Sequence, residues 1–133
     1  MREIIFRGKR IDNGELVYGD LTQDRDLETA YIQGHDYYTD DCGPQREPFC
    51  CDVDPETVGQ YTERKDKTGI RIFEGDIVKI DSFIYQVEFR YSEWEFRILS
   101  KKVYCFPNFD SHTGECEIIG NIHDNPELLE VQP

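Results

Sequence analysis

Residues 54–80 read DPETVGQYTERKDKTGIRIFEGDIVKI, and the order of turns and β-branched runs within them decides the fold class. Asp54-Pro55-Glu56 offers an oxygen-bearing cap, a proline whose fixed φ suits a first helical position, and an acid near the exposed N–H groups. Together they predict a short helical turn, which Gly59 stops. Asp66-Lys67-Thr68-Gly69 predicts a reverse turn, with Asp at its opening and Gly69 at a position of positive φ, before a short strand over 70–73. Glu74-Gly75-Asp76 predicts a second turn, with Gly75 at φ > 0 or at a position too crowded for a side chain. The β-branched run over 77–80 is then a strand. The stretch reads turn, strand, turn, strand.

Working outward, the N-terminus is a hairpin: residues 4–11 are strand-like, Asp12-Asn13-Gly14 is a strong turn signal, and Leu16 to Leu21 returns. Tyr18-Gly19-Asp20-Leu21 echoes Glu74-Gly75-Asp76-Ile77, but four residues of common turn chemistry do not make a repeat. Residues 29–32 are a further short strand. Residues 33–52 are rich in Gly, Pro, Asp and Tyr without a period, and predict a long acidic surface loop; loops of that length are functional or mobile. Beyond residue 80, Phe83, Tyr85, Val87, Phe89 and Tyr91 share one face of a strand and Gln86, Glu88 and Arg90 the other. Trp94, Phe96 and Ile98 face inward on the next, with Trp94 a core residue. Two more strands follow over 103–106 and 117–122, and Asn125-Pro126-Glu127 caps a helical turn running to Glu130.

On these residues the chain resembles the YopX family of phage and prophage proteins. The resemblance is carried by Val53 to Thr62, then Asp66-Lys67-Thr68-Gly69 and Glu74-Gly75-Asp76-Ile77-Val78. It extends in order to Met1-Arg2-Glu3-Ile4 through Phe6-Arg7, to Tyr18-Gly19-Asp20-Leu21, and to the ending from Ile118 to Leu129. The family usually has Thr-Gly-Leu where this chain has Thr62-Glu63-Arg64, so the glycine on which a turn there would depend is missing. The resemblance implies a mainly β protein related to SH3-type barrels, of bacterial or phage origin, and no assigned activity. The expected architecture is an SH3-like barrel or β-roll of antiparallel strands, with the N-terminal hairpin, the long acidic loop and short helical turns.

The 133 residues fit one domain with an ordinary core. The absence of a long apolar run predicts neither a membrane span nor a signal peptide, hence a place in the bacterial cytoplasm. The formal charge of −13 is regional: residues 12–56 hold thirteen acids and two bases, whereas residues 1–11 sum to +3. That field repels phosphates and anionic lipid, which argues against direct nucleic-acid or membrane binding. A solvated acidic surface that favours solubility is the simplest account of it.

Five cysteines (Cys42, Cys50, Cys51, Cys105, Cys116) and three histidines (His35, His112, His123) raise the question of zinc. No two cysteines are two residues apart, and adjacent Cys50 and Cys51 cannot easily serve one tetrahedral ion. Free thiols are expected, with no bound metal and no cofactor. The acids Asp36, Asp40 and Asp41, and Asp110, Glu115 and Glu117, lack the spacing of a calcium loop. No nucleophile elbow, triad context or phosphate-binding glycine loop is present. The sequence thus favours a non-catalytic binding module. Its candidate contact residues are His35, Asp36, Tyr37, Tyr38, Asp40 and Asp41, tyrosines flanked by acids on the predicted loop. The partner expected is a protein with a basic surface; self-association is left open. A metal-dependent hydrolase using the loop acids and His35, and an acidic mimic of nucleic acid, are the competing readings. The structural residues expected are Gly59, Gly69, Gly75, Asp76 and Trp94.

Overall fold

The turn around Asp12 and Asn13 closes a hairpin between β1 (Phe6–Lys9) and β2 (Leu16–Asp24), in register from Phe6↔Gly19 to Lys9↔Leu16. The computed structural model describes residues 2–99 and 107–129, which are mainly β. They divide into two compact units, residues 3–60, and the described residues from 61 to 129 with Arg2.

In the N-terminal unit β2 pairs with β3 (Thr29–Asp40), and β3 pairs with β4 (Gly43–Val53) along its whole length, from Ala30↔Val53 to Asp40↔Gly43. Residues 33–52, expected as a loop, are therefore most of a long β-hairpin with a two-residue turn at Asp41 and Cys42. Composition misled because the distal half of this hairpin is solvated on both faces, so no apolar alternation marks it. Backbone pairing forms it regardless. The strand order is β4-β3-β2-β1, with the first residues of β5 (Gly59–Lys65) on the far side of β1.

The sheet curls until the end of β1 meets the end of β4. Ile11 N donates to Asp52 O at 3.1 Å, Asp54 N to Lys9 O at 2.9 Å, and Arg10 bridges Val53. Ala30, Ile32 and Val53 form the buried core, with Phe6, Val17, Leu21, Phe49 and Val58 packed against it. The predicted helical turn is a 3-10 turn over Pro55–Thr57, where the Asp54 carboxylate accepts from Glu56 N at 3.1 Å. It ends before Gly59, which is buried in β5.

The C-terminal unit contains β6 (Arg71–Phe73), β7 (Asp76–Ile80), β8 (Phe83–Arg90), β9 (Glu93–Ile98), a single helical turn α1 (Phe109–His112) and β10 (Glu117–Asn121). β6 pairs with the remainder of β5, and the other strands form an antiparallel sheet in the order β10-β7-β8-β9. Among the described residues that sheet is open at β9 and β10, so it is β-rich without being a closed barrel. Its core is Ile72, Val78, Ile80, Tyr85, Val87, Phe96, Phe109 and Cys116. The apolar face predicted for β8 is buried in the middle and fades outward: Tyr85 and Val87 are buried, whereas Phe89 and Tyr91 are exposed. Trp94, expected in the core, is half-buried; it packs at the core margin and stacks edge-on against exposed Phe89, at 4.9 Å between ring centroids. It lies near the exposed end of the β8–β9 ribbon, paired with Phe89, one step from the terminal pair Arg90↔Glu93. Pro126–Leu129 form a 3-10 turn. The strand expected over 103–106, Cys105 and Glu130 lie outside the described residues.

Gly75 takes φ 91 and Gly69 φ 87, as the turns require. A side chain at Gly75 would also meet Ile122, 3.5 Å from an added Cβ. Gly19 is different: it sits inside β2 with no positive φ, so the echo between the two Gly-Asp segments is one of sequence alone.

Glu63 occupies the place where a glycine was missed. Its φ is 68, and the β5–β6 register shifts between Tyr61 and Lys65 around it. The chain thus keeps a left-handed residue there and carries the steric cost that a Cβ brings. Glu63→Gly is expected to raise the unfolding free energy by about 0.5–1 kcal/mol, the relief of strain being partly offset by a looser unfolded chain. Its ion pair with Arg2, at 3.4 Å and well exposed, adds little. A urea titration giving an unchanged or lower stability would show that Glu63 is not strained.

Candidate functional site

β2 leaves β3 at the pair Asp20↔Gln33, so Gly34 to Asp40 pair only with Gly43 to Phe49 among the described residues. This is a two-stranded ribbon of seven residue pairs, about 23 Å long at ~3.3 Å per residue. Asp36 through Cys42 are exposed without interruption.

Alternation divides the candidate residues between two faces. Asp36, Tyr38 and Asp40 continue the face that carries Ile32, opposite Glu47, Gln45 and Gly43. His35, Tyr37 and Thr39 lie on the reverse, opposite Pro48, Arg46 and Pro44. Asp41 is at the tip. Tyr37 is 77% exposed and Tyr38 49%, so neither folds back onto the body. Phe49 marks the root of the ribbon, its ring lying over Gly34 where an added Cβ would come within 3.0 Å. At the tip, Asp40 Oδ1 accepts from Cys42 N at 2.8 Å, fixing the turn.

The ribbon's two edges are unlike. Asp52 O and the N–H of Asp54 point away from β3, since they bond to Ile11 and Lys9. By alternation, residues 44, 46, 48 and 50 of β4 also turn their backbone groups outward. Two of those four are prolines, Pro44 and Pro48, which have no N–H to offer a further strand. On β3 the outward positions are the odd ones. Tyr31 and Gln33 meet β2, and beyond them His35, Tyr37 and Thr39 present N–H and C=O to solvent. Sequence reading missed β4 entirely; the four-residue spacing of Pro44 and Pro48, compatible with one edge of a strand, was the available signal.

Other constellations are structural. Asp66 is 5% exposed; Oδ1 accepts from Thr68 N (2.9 Å), Thr68 Oγ1 (2.7 Å) and Ile70 N (3.0 Å), and Oδ2 from Ile118 N (3.1 Å). Burial alone pushes its pKa up, but these donors outweigh it and hold the carboxyl below its ordinary range. Asp76, 2% exposed, accepts from Phe73 N at 2.7 Å and pins the Gly75 turn. Cys116 is buried, its thiol pushed up to about 11 by burial and then by the Asp66 charge, which leaves it inert as a nucleophile. Cys42 and Cys50 are exposed free thiols and Cys51 is half-buried. Among the described residues no three His, Cys, Asp or Glu side chains gather as a metal site would need. A groove of about 650 Å³ beside Phe89, Trp94 and Phe109 holds Ser92, Glu93 and Asp110, and no histidine to activate the serine. No helix among the described residues is long and apolar enough to cross a membrane.

Residues 5–130 match the family model described as YopX protein. The crystal structure of protein EF1440 from Enterococcus faecalis is similar, with a TM-score of 0.62 and 24% identity over 98% of this chain and 100% of that one. At that identity the likeness concerns the fold. No curated protein matches the chain.

Proposed function

The chain belongs to the YopX family, and from that premise we propose that it is a non-catalytic accessory protein of a phage or prophage, acting in the bacterial cytoplasm as a protein-binding module. One observation carries this reading: the ribbon from Gly34 to Phe49 stands clear of its sheet with tyrosines on both faces. Ordering such a ribbon costs backbone entropy, and solvated faces return little burial energy. A partner that covers Tyr37 or Tyr38 returns it. The ribbon carries four acids and one base, so a basic protein surface is the complementary partner.

The test is capture from bacterial lysate by the tagged chain and by a variant in which residues 35–48 are replaced by a tight Asn-Gly turn. Removing all of 33–52 is unsuitable, because Phe49 packs on the core and Cys51 pairs with Ile32. The shortened chain is expected to melt like the parent, lose the partner, and in the parent association should slow as salt rises. Capture that survives the truncation with the same salt dependence contradicts the reading. Turnover of a substrate, or nucleic-acid-binding proteins captured independently of the ribbon, would favour the competing readings.

A further inference from the structure

Exposed strand edges invite unwanted pairing, and proteins block them with proline, charge or cover. Here the blocking is one-sided. β4 carries Pro44 and Pro48 at outward backbone positions, whereas the parallel row on β3 at His35, Tyr37 and Thr39 has neither proline nor a neighbouring strand among the described residues. That row is long enough for three alternate residues to exchange both of their backbone hydrogen bonds with an added strand.

We propose that the open edge of β3 at His35, Tyr37 and Thr39 is a strand-addition site that takes an extended, basic segment of a partner protein. The proposal rests on the ribbon being the binding element and adds how it binds. Charge selects the occupant. Asp36, Tyr38 and Asp40 project to one side of the edge and Tyr37 to the other, so an added strand alternating lysine or arginine with apolar residues would set its cations near Asp36 and Asp40 and its apolar groups along Tyr37. A second copy of the chain is disfavoured, since pairing β3 with β3 brings two ribbons of the same negative sign together.

The experiment uses the full chain with a short synthetic peptide alternating lysine and valine, and its glutamate-valine counterpart. The lysine peptide is expected to bind and the glutamate peptide not. Binding should slow amide hydrogen exchange at His35, Tyr37 and Thr39 by about tenfold or more, with less change at Asp36 and Tyr38, which already bond to β4. Tyr37→Pro removes an outward N–H without touching the β3–β4 ladder and should abolish binding, whereas Tyr37→Ala keeps the N–H and should retain part of it. Methylating alternate amides of the peptide should abolish binding irrespective of any variant. Failure of the lysine peptide to bind, equal binding by Tyr37→Pro, or indifference to methylation overturns strand addition. The acidic-ribbon reading survives those results if the shortened chain still loses its cellular partner, and falls with them if it does not. Sedimentation showing two copies joined through this edge overturns the choice of occupant.

Discussion

Asp66→Ala is expected to lower the unfolding free energy by about 3–5 kcal/mol, among the largest effects of a single side chain here. The carboxylate closes its own turn through Thr68 and Ile70 and ties that turn to β10 through Ile118 N. Alanine removes the acceptor of three backbone N–H groups, those of Thr68, Ile70 and Ile118, which now meet a carboxylate only 5% exposed. Asparagine is no rescue, because it turns an amide donor toward either Ile118 N or the Thr68 pair. The same geometry sets a pH dependence. Since the folded-state pKa is depressed, the stabilisation is fully present above the ordinary unfolded value of about 3.9 and is lost as pH falls through the folded value. Urea titrations of parent and Asp66→Ala should show the gap between them narrowing as pH is lowered from neutral through the carboxylate range. A loss below about 1 kcal/mol at neutral pH would mean that Asp66 does not hold the turn to β10.

Gly19→Ala is expected to cost about 2–3 kcal/mol although its φ is ordinary. A Cβ there would run into the carbonyl oxygen of Gln33 and press on Ile32 Cγ2 at 3.3 Å. A backbone carbonyl cannot swing aside as a flexible side chain can. The residue lies where β2 leaves β1 for β3, so the strain falls on the pairs that root the ribbon. A thermal melt of Gly19→Ala matching the parent would show that β2 and β3 do not approach so closely.

The turns were legible because their chemistry is local: Asp66 and Gly69, Gly75, and Asp12 with Gly14 each act on backbone within a few residues. The β8 face was legible because burial against Phe96 and Ile72 imposes the two-residue period. Trp94 was placed too deep because periodicity gives the side of a strand and says nothing of how far the core extends along it. The ribbon escaped notice for a related reason. Alternation is written into a sequence by one buried face, and β3 beyond Gln33 has none. Its tyrosines and acids are exposed, as a polar segment predicts, and their division between two faces follows from the register with β4. Glu63 shows the opposite limit: sequence suggested that a turn had lost its glycine, and the fold retains the left-handed residue without it.

Amide hydrogen exchange along residues 34–40 of the free protein tests the ribbon most directly. Gly34, Asp36, Tyr38 and Asp40 should exchange several-fold more slowly than His35, Tyr37 and Thr39, because their N–H groups face β4 and the others face water. Uniformly fast exchange would mean that residues 33–52 are the loop their composition suggests, and uniform protection that the β3 edge is already covered; either result contradicts a ribbon with one open edge.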